Sequence, residues 1–253
     1  MWYRISRKDY AKYQLFPNFE NVVTKIFDVI QRMNNQLNDA TEQYKKDVLA
    51  NKNSNPYYEY PIVEQAKKDF GVHILESSDL KLSIPVSGVM KGGFGAVAEY
   101  DNRGNIYINL QAHAIRRVSE FNDVARILAH ELQHATEHAK QNYHDSLSNK
   151  ELNKTKQWAD SAEYKMTQRG DEPLYFTRYY NQPTEVRARL VETLLHYGLP
   201  GSKLTLQDKL RNDNTYQAYY NLIEGAITKN IVDQLSNEAV FYMIKELYKA
   251  IWD

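Results

Sequence analysis

The chain has 253 residues, enough for one sizeable core, or for one core plus an appended helical segment. Apolar residues make up 42% and charged residues 25%, and 32 Lys plus Arg balance 32 Asp plus Glu, so no global charge field for nucleic acid exists. There are no cysteines, which excludes disulfides and Cys-ligated metals and leaves His and carboxylates as the donors for any zinc site.

The basic start, Met1 to Lys8, is not followed by the apolar run of a secretory signal. No stretch approaches the roughly 18 apolar residues of a membrane span. A cytoplasmic or virion-associated protein is expected, with no membrane or nucleic-acid partner.

Residues 19–50 carry Val22, Val23, Ile26, Phe27, Ile30, Met33 and Leu37 at three- and four-residue steps, which predicts a long amphipathic helix. Asn51 to Pro56 breaks it, and a short helix is expected over 61–69. Val72 to Leu75 reads as a strand, and so does the alternation of Leu82, Ile84 and Val86. A Gly-rich turn, Lys91 to Gly95, follows. Ala96–Tyr100 and Ile106–Leu110 then flank Asp101 to Asn105 as a hairpin, with Gly104 available for a positive φ. From 119 onward the pattern is mainly helical, with helices over 119–142 and 182–197, the latter ended by Gly198 and Pro200, and at least two more over 205–251. A small sheet followed by helices predicts an α+β fold.

Residues 130–134 read His130-Glu131-Leu132-Gln133-His134. Positions i and i+4 share a helix face, so both imidazoles reach one ion. Glu131 points to the side, where its carboxylate can act as a base without ligating. A zinc ion there would bring the pKa of its water to about 7, within reach of that base. On a helical wheel Phe121, Val124, Leu128, Leu132 and Ala135 form the apolar stripe, Arg126, Gln133 and Glu137 the wet face, and the two histidines the boundary, with Glu131 closer to the apolar side.

A catalytic zinc needs a third protein ligand. His138 continues the i+4 series, but the outer histidines would lie about 12 Å apart along the axis. A metzincin-type histidine is absent, since Lys140 occupies that position. Glu185 is the better candidate, near the start of the 182–197 helix, with Asn181 as expected N-cap and Pro183 in the first turn. The bland reading is a first-turn glutamate favoured by the helix dipole and paired to Arg189.

His130-Glu131-Leu132-Gln133-His134-Ala135, then about fifty residues, then Pro183-Thr184-Glu185-Val186-Arg187-Ala188-Arg189, resembles the gluzincin-like metallopeptidases of phages, plasmids and bacteria. There a P-x-E-x-x-A-R segment on a later helix supplies the third ligand. The resemblance implies Glu185 in that role, one Zn2+, and a mainly helical zincin-like fold with a small twisted sheet before the H-E-x-x-H helix. It implies that the strand Ile106–Leu110 forms the upper edge of a cleft to which an extended peptide adds. It spans residues 60–200, and the expected organisation is an N-terminal helical extension (1–55), a zincin-like core (56–202) and a C-terminal helical segment packed on it (203–253).

The expected activity is zinc-dependent hydrolysis of a protein or peptide, with Glu131 as base and Tyr179 and Tyr180 as oxyanion donors beside the third-ligand helix. His144, Tyr175 and Arg178 are alternative donors. Asp160, Glu163 and Glu192 are candidates to orient the imidazoles. The competing readings are a structural or particle-associated protein that keeps the fold and docks through its terminal helices, and a hydrolase of a non-peptide bond.

Overall fold

A computed structural model of the chain describes residues 18–49, 59–76, 81–87, 98–109, 118, 120–140, 149–170, 176–197 and 203–252. The expected break over 51–56, the Lys91–Gly95 turn, the Gly198–Pro200 helix end, His144 and Tyr175 lie outside these residues. The elements are α1 (Phe19–Leu49), α2 (Glu59–Phe70), β1 (Val72–Glu76), β2 (Lys81–Ser87), β3 (Ala98–Tyr100), β4 (Ile106–Asn109), α3 (Phe121–Lys140), α4 (Asn149–Gln168), α5 (Thr177–Tyr180), α6 (Pro183–His196), α7 (Lys203–Arg211), α8 (Tyr216–Ala226), α9 (Lys229–Gln234) and α10 (Asn237–Trp252). The α+β expectation holds: the described chain is mostly helical with one small sheet. Among the described residues no helix is long and apolar enough to cross a membrane.

Two compact units divide the chain, Gln14–Ala135 and Thr136–Asp253, and the division falls inside α3 and inside the span 56–202. In the first, the apolar face of α1 (Val22, Val23, Ile26, Ile30, Met33, Leu37) is buried, and α1 packs on α2 and β1. Phe27 meets Phe121 edge-on at 6.2 Å, tying α1 to the start of α3. The sheet order is β1-β2-β4-β3, antiparallel at both ends and parallel between β2 and β4. Leu75, Leu82, Ile84, Ile106 and Ile108 point into the core.

The β3–β4 hairpin forms as the Asp/Asn/Gly run predicts. Asn102 (φ 58°) and Gly104 (φ 90°) take left-handed backbone. Asp101 accepts from the amides of Arg103 (2.8 Å) and Asn105 (3.0 Å) and from Asn105 Nδ2 (2.8 Å). Burial pushes the Asp101 carboxyl up, but these bonds and the Arg103 charge outweigh it and hold it below its ordinary value.

In the second unit α10 is the central helix, packing on α4, α6, α7 and α8. Its Ala239, Val240, Met243, Leu247 and Ile251 are buried. The 205–251 region, expected to hold at least two helices, holds four. Asn181 corrects an expectation. The N-cap of α6 is Gln182, and Asn181 closes α5 instead. Fully buried, Asn181 donates through Nδ2 to the carbonyls of Thr177 and Gln234 (2.8 Å each) and accepts from the Ser236 amide (2.9 Å). Three bonds in the interior satisfy more polar atoms than one cap bond at a helix end.

Candidate metal centre

Helix α3 carries the centre. Its apolar stripe (Val124, Leu128, Leu132, Ala135) is buried, which fixes its rotation. That rotation leaves His130 buried at 6% exposure and His134 half-buried, at the edge of the stripe. Their Nε2 atoms lie 3.1 Å apart, with the rings nearly perpendicular at 75°. Glu185, in the first turn of α6, is 4% exposed. One donor atom from each of His130, His134 and Glu185 lies within 4.8 Å of the others.

This set fits a small divalent cation. Tetrahedral zinc with bonds of about 2.0–2.2 Å requires donors roughly 3.3–3.6 Å apart. The two nitrogens, 3.1 Å apart, already meet that spacing to within a few tenths of an ångström. Two imidazoles and one carboxylate are borderline-to-hard donors suited to zinc and to other first-row divalent ions. A buried His130, His134, Glu185 group can therefore bind a metal ion.

Glu131 is also buried, at 9% exposure, and its Oε2 accepts the Tyr100 amide at 2.8 Å. The hairpin register explains why that amide is available. Asp101 donates to the Asn105 carbonyl, so hydrogen-bonded pairs alternate from there and Glu99 pairs with Tyr107. The backbone polar groups of Ala98 and Tyr100 face away from β4. This corrects the expected cleft edge. β4 lies between β2 and β3 and has no open side, whereas β3 is the edge strand among the described residues.

The expected wet face of α3 is also corrected. Gln133 and Glu137 are 2% and 1% exposed. Glu137 takes a two-pronged bond from Arg187: Nε to Oε1 at 2.7 Å and Nη2 to Oε2 at 2.6 Å. Arg187, on α6, is itself 1% exposed and among the largest fully buried side chains. Removing one member of such a pair costs about 3–5 kcal/mol because the other stays buried and uncompensated. Sequence reading missed both partners. Periodicity sets a charged residue outside by default, and only a second helix bringing the opposite charge reverses that.

Arg189 bonds Glu192 at 2.7 Å. Burial pushes its guanidinium down, but the carboxylates of Glu192 and Glu185 outweigh this and hold it above its ordinary value. Tyr179 and Tyr180, on α5, both act electrostatically on Arg189, with their rings 5.6 Å apart. Tyr179 is 42% exposed. Two expected orienting residues are engaged elsewhere: Asp160 and Glu163 bind Arg178, at 3.3 and 3.1 Å, on an exposed surface. Arg178 is thereby tied to α4. The third, Glu192, binds Arg189.

Compared with protein-family models, with curated proteins and with solved structures, the chain gives no match.

Proposed function

We propose that the chain is a zinc-dependent peptide-bond hydrolase of the zincin type, with His130, His134 and Glu185 holding one Zn2+ and Glu131 as general base. The observation that carries this reading is the gathering of a His–His–Glu donor set with a further buried carboxylate one residue from the first histidine. A zinc ion there supplies a Lewis acid and a water acidic enough to be deprotonated near neutral pH.

Glu131 is oriented for its part. The Tyr100 amide holds Oε2, so the carboxylate cannot swing freely, and Oε1 takes the proton and returns it to the leaving amine. Tyr179 and Tyr180 are the proposed donors to the oxyanion. A purely structural metal site has no use for a base beside its ligands, which favours the hydrolase over a particle-associated scaffold.

Metal analysis of the purified chain should give one zinc per molecule. Glu131→Gln should keep that zinc and lower cleavage of a peptide library by at least about 100-fold. A chain that never retains stoichiometric metal, or a Glu131→Gln variant with undiminished cleavage, would sink the reading.

A further inference from the structure

Neither member of the Arg187–Glu137 pair belongs to the His–His–Glu donor set: Glu137 lies just beyond the H-E-x-x-H run, and Arg187 occupies an unspecified position of the Pro183–Arg189 segment. Glu137 is three residues beyond His134 on α3, and Arg187 is two residues beyond Glu185 on α6. Both belong to the Thr136–Asp253 unit. The two parallel N–H···O bonds, at 2.6 and 2.7 Å, hold guanidinium and carboxylate in one relative orientation, which constrains the rotation of the helix that carries each. A single hydrogen bond or an apolar contact would leave that rotation soft.

Stability alone does not account for the pair. Replacing a fully buried ion pair by apolar side chains of similar volume is often neutral or stabilising. Charge is nonetheless kept here, where both side chains are 2% exposed. The surroundings enclose it further. Tyr242 of α10 feels the charges of Arg187 and Glu137, and burial pushes its hydroxyl well above the ordinary value.

We infer that Arg187 and Glu137 are positioning residues, which fix the rotation of α6 and with it the direction in which the Glu185 carboxylate projects. This rests on the metal-binding reading above and goes beyond it by naming what sets the affinity. Groups that hydrogen-bond a metal ligand directly change metal affinity by about 10- to 100-fold, and a pair that acts through helix rotation belongs at the lower end of that range.

The test is the zinc dissociation constant, read by competition with a chromogenic chelator, alongside the melting temperature of the metal-free protein. Three full-length variants serve: Glu137→Gln, the double Glu137→Gln with Arg187→Gln, and Arg187→Lys. Each should weaken zinc binding at least tenfold while circular dichroism shows native helix content. Arg187→Lys carries the most weight, because it keeps the charge and most of the volume and removes only the fork. If the other two variants fail to fold, its dissociation constant decides.

A merely structural pair lowers the metal-free melting temperature but leaves the affinity of the folded variants within twofold of native, and that result would overturn the proposal. Failure of the underlying reading looks different. In that case the native chain binds no zinc, or Glu185→Gln binds it as tightly as native.

Discussion

Asp101 shows how one side chain can organise a turn that the backbone cannot hold alone. Its carboxylate accepts three bonds across a loop with two left-handed residues. Asp101→Ala should cost about 1.5–3 kcal/mol in urea unfolding, the range for hydrogen bonds to a charged group. The folded-state pKa lies below the unfolded one, so the contribution is complete above the ordinary carboxyl pKa and is lost as pH falls through the depressed value. Native and variant stabilities should therefore converge in strong acid. Asn181 makes a second case. Asn181→Ala strands the Ser236 amide and the Gln234 carbonyl in the interior, and a loss of about 2–4 kcal/mol is expected by the same measurement. Of these two roles only the first was legible in the sequence. Asp-Asn-Arg-Gly-Asn between apolar runs is a turn by local chemistry, whereas the partners of Asn181 lie more than fifty residues away.

At the scale of elements, the long periodic helices could be read most directly. The expected 19–50, 119–142 and 182–197 appear as Phe19–Leu49, Phe121–Lys140 and Pro183–His196, because their apolar stripes repeat over three turns or more. Which strand lies at the sheet edge could not be read, since alternation marks a strand without marking its neighbours. The same limit applies to Glu137, whose burial depends on a partner helix. Packing between helices also explains Gly225, inside α8. A Cβ there would lie 2.7 Å from the Tyr197 hydroxyl, which donates to the Leu222 carbonyl at 2.9 Å. Gly225→Ala gains about 1 kcal/mol of helix propensity. It forfeits the Tyr197 bond, about 1 kcal/mol, and part of that ring's packing, about 1 kcal/mol more. The expected net effect is a loss of about 1 kcal/mol, seen as a lower melting temperature; a more stable variant would show that Tyr197 moves aside freely.

For the whole molecule, a ligand bound only by the folded state stabilises it by mass action. Zinc at about 100 times its dissociation constant should add about 2.7 kcal/mol, and a chelator should remove that increment. Glu185→Gln should reduce the gain at the same zinc concentration, by calorimetry with and without metal. The candidate metal-binding group was legible to the extent that its donors lie at helical spacing on α3 or in the first turn of α6. The backbone amide that holds Glu131 left no trace in the sequence, because every residue but proline carries one.

That amide has a counterpart at the far side of the sheet. Asn18 donates its side-chain amide to the Ile74 carbonyl on β1, while Glu131 accepts from Tyr100 on β3. Each margin of the sheet thus has a polar side chain seated where another molecule's backbone would otherwise dock, and β3 is only three residues long. Exposed margins are templates for fibril growth, and Val72 and Ile74 on β1 are apolar and open to solvent. Asn18→Ala should therefore shorten the lag before amyloid-dye fluorescence rises at elevated temperature, leaving the concentrated protein prone to a self-association that the native chain resists.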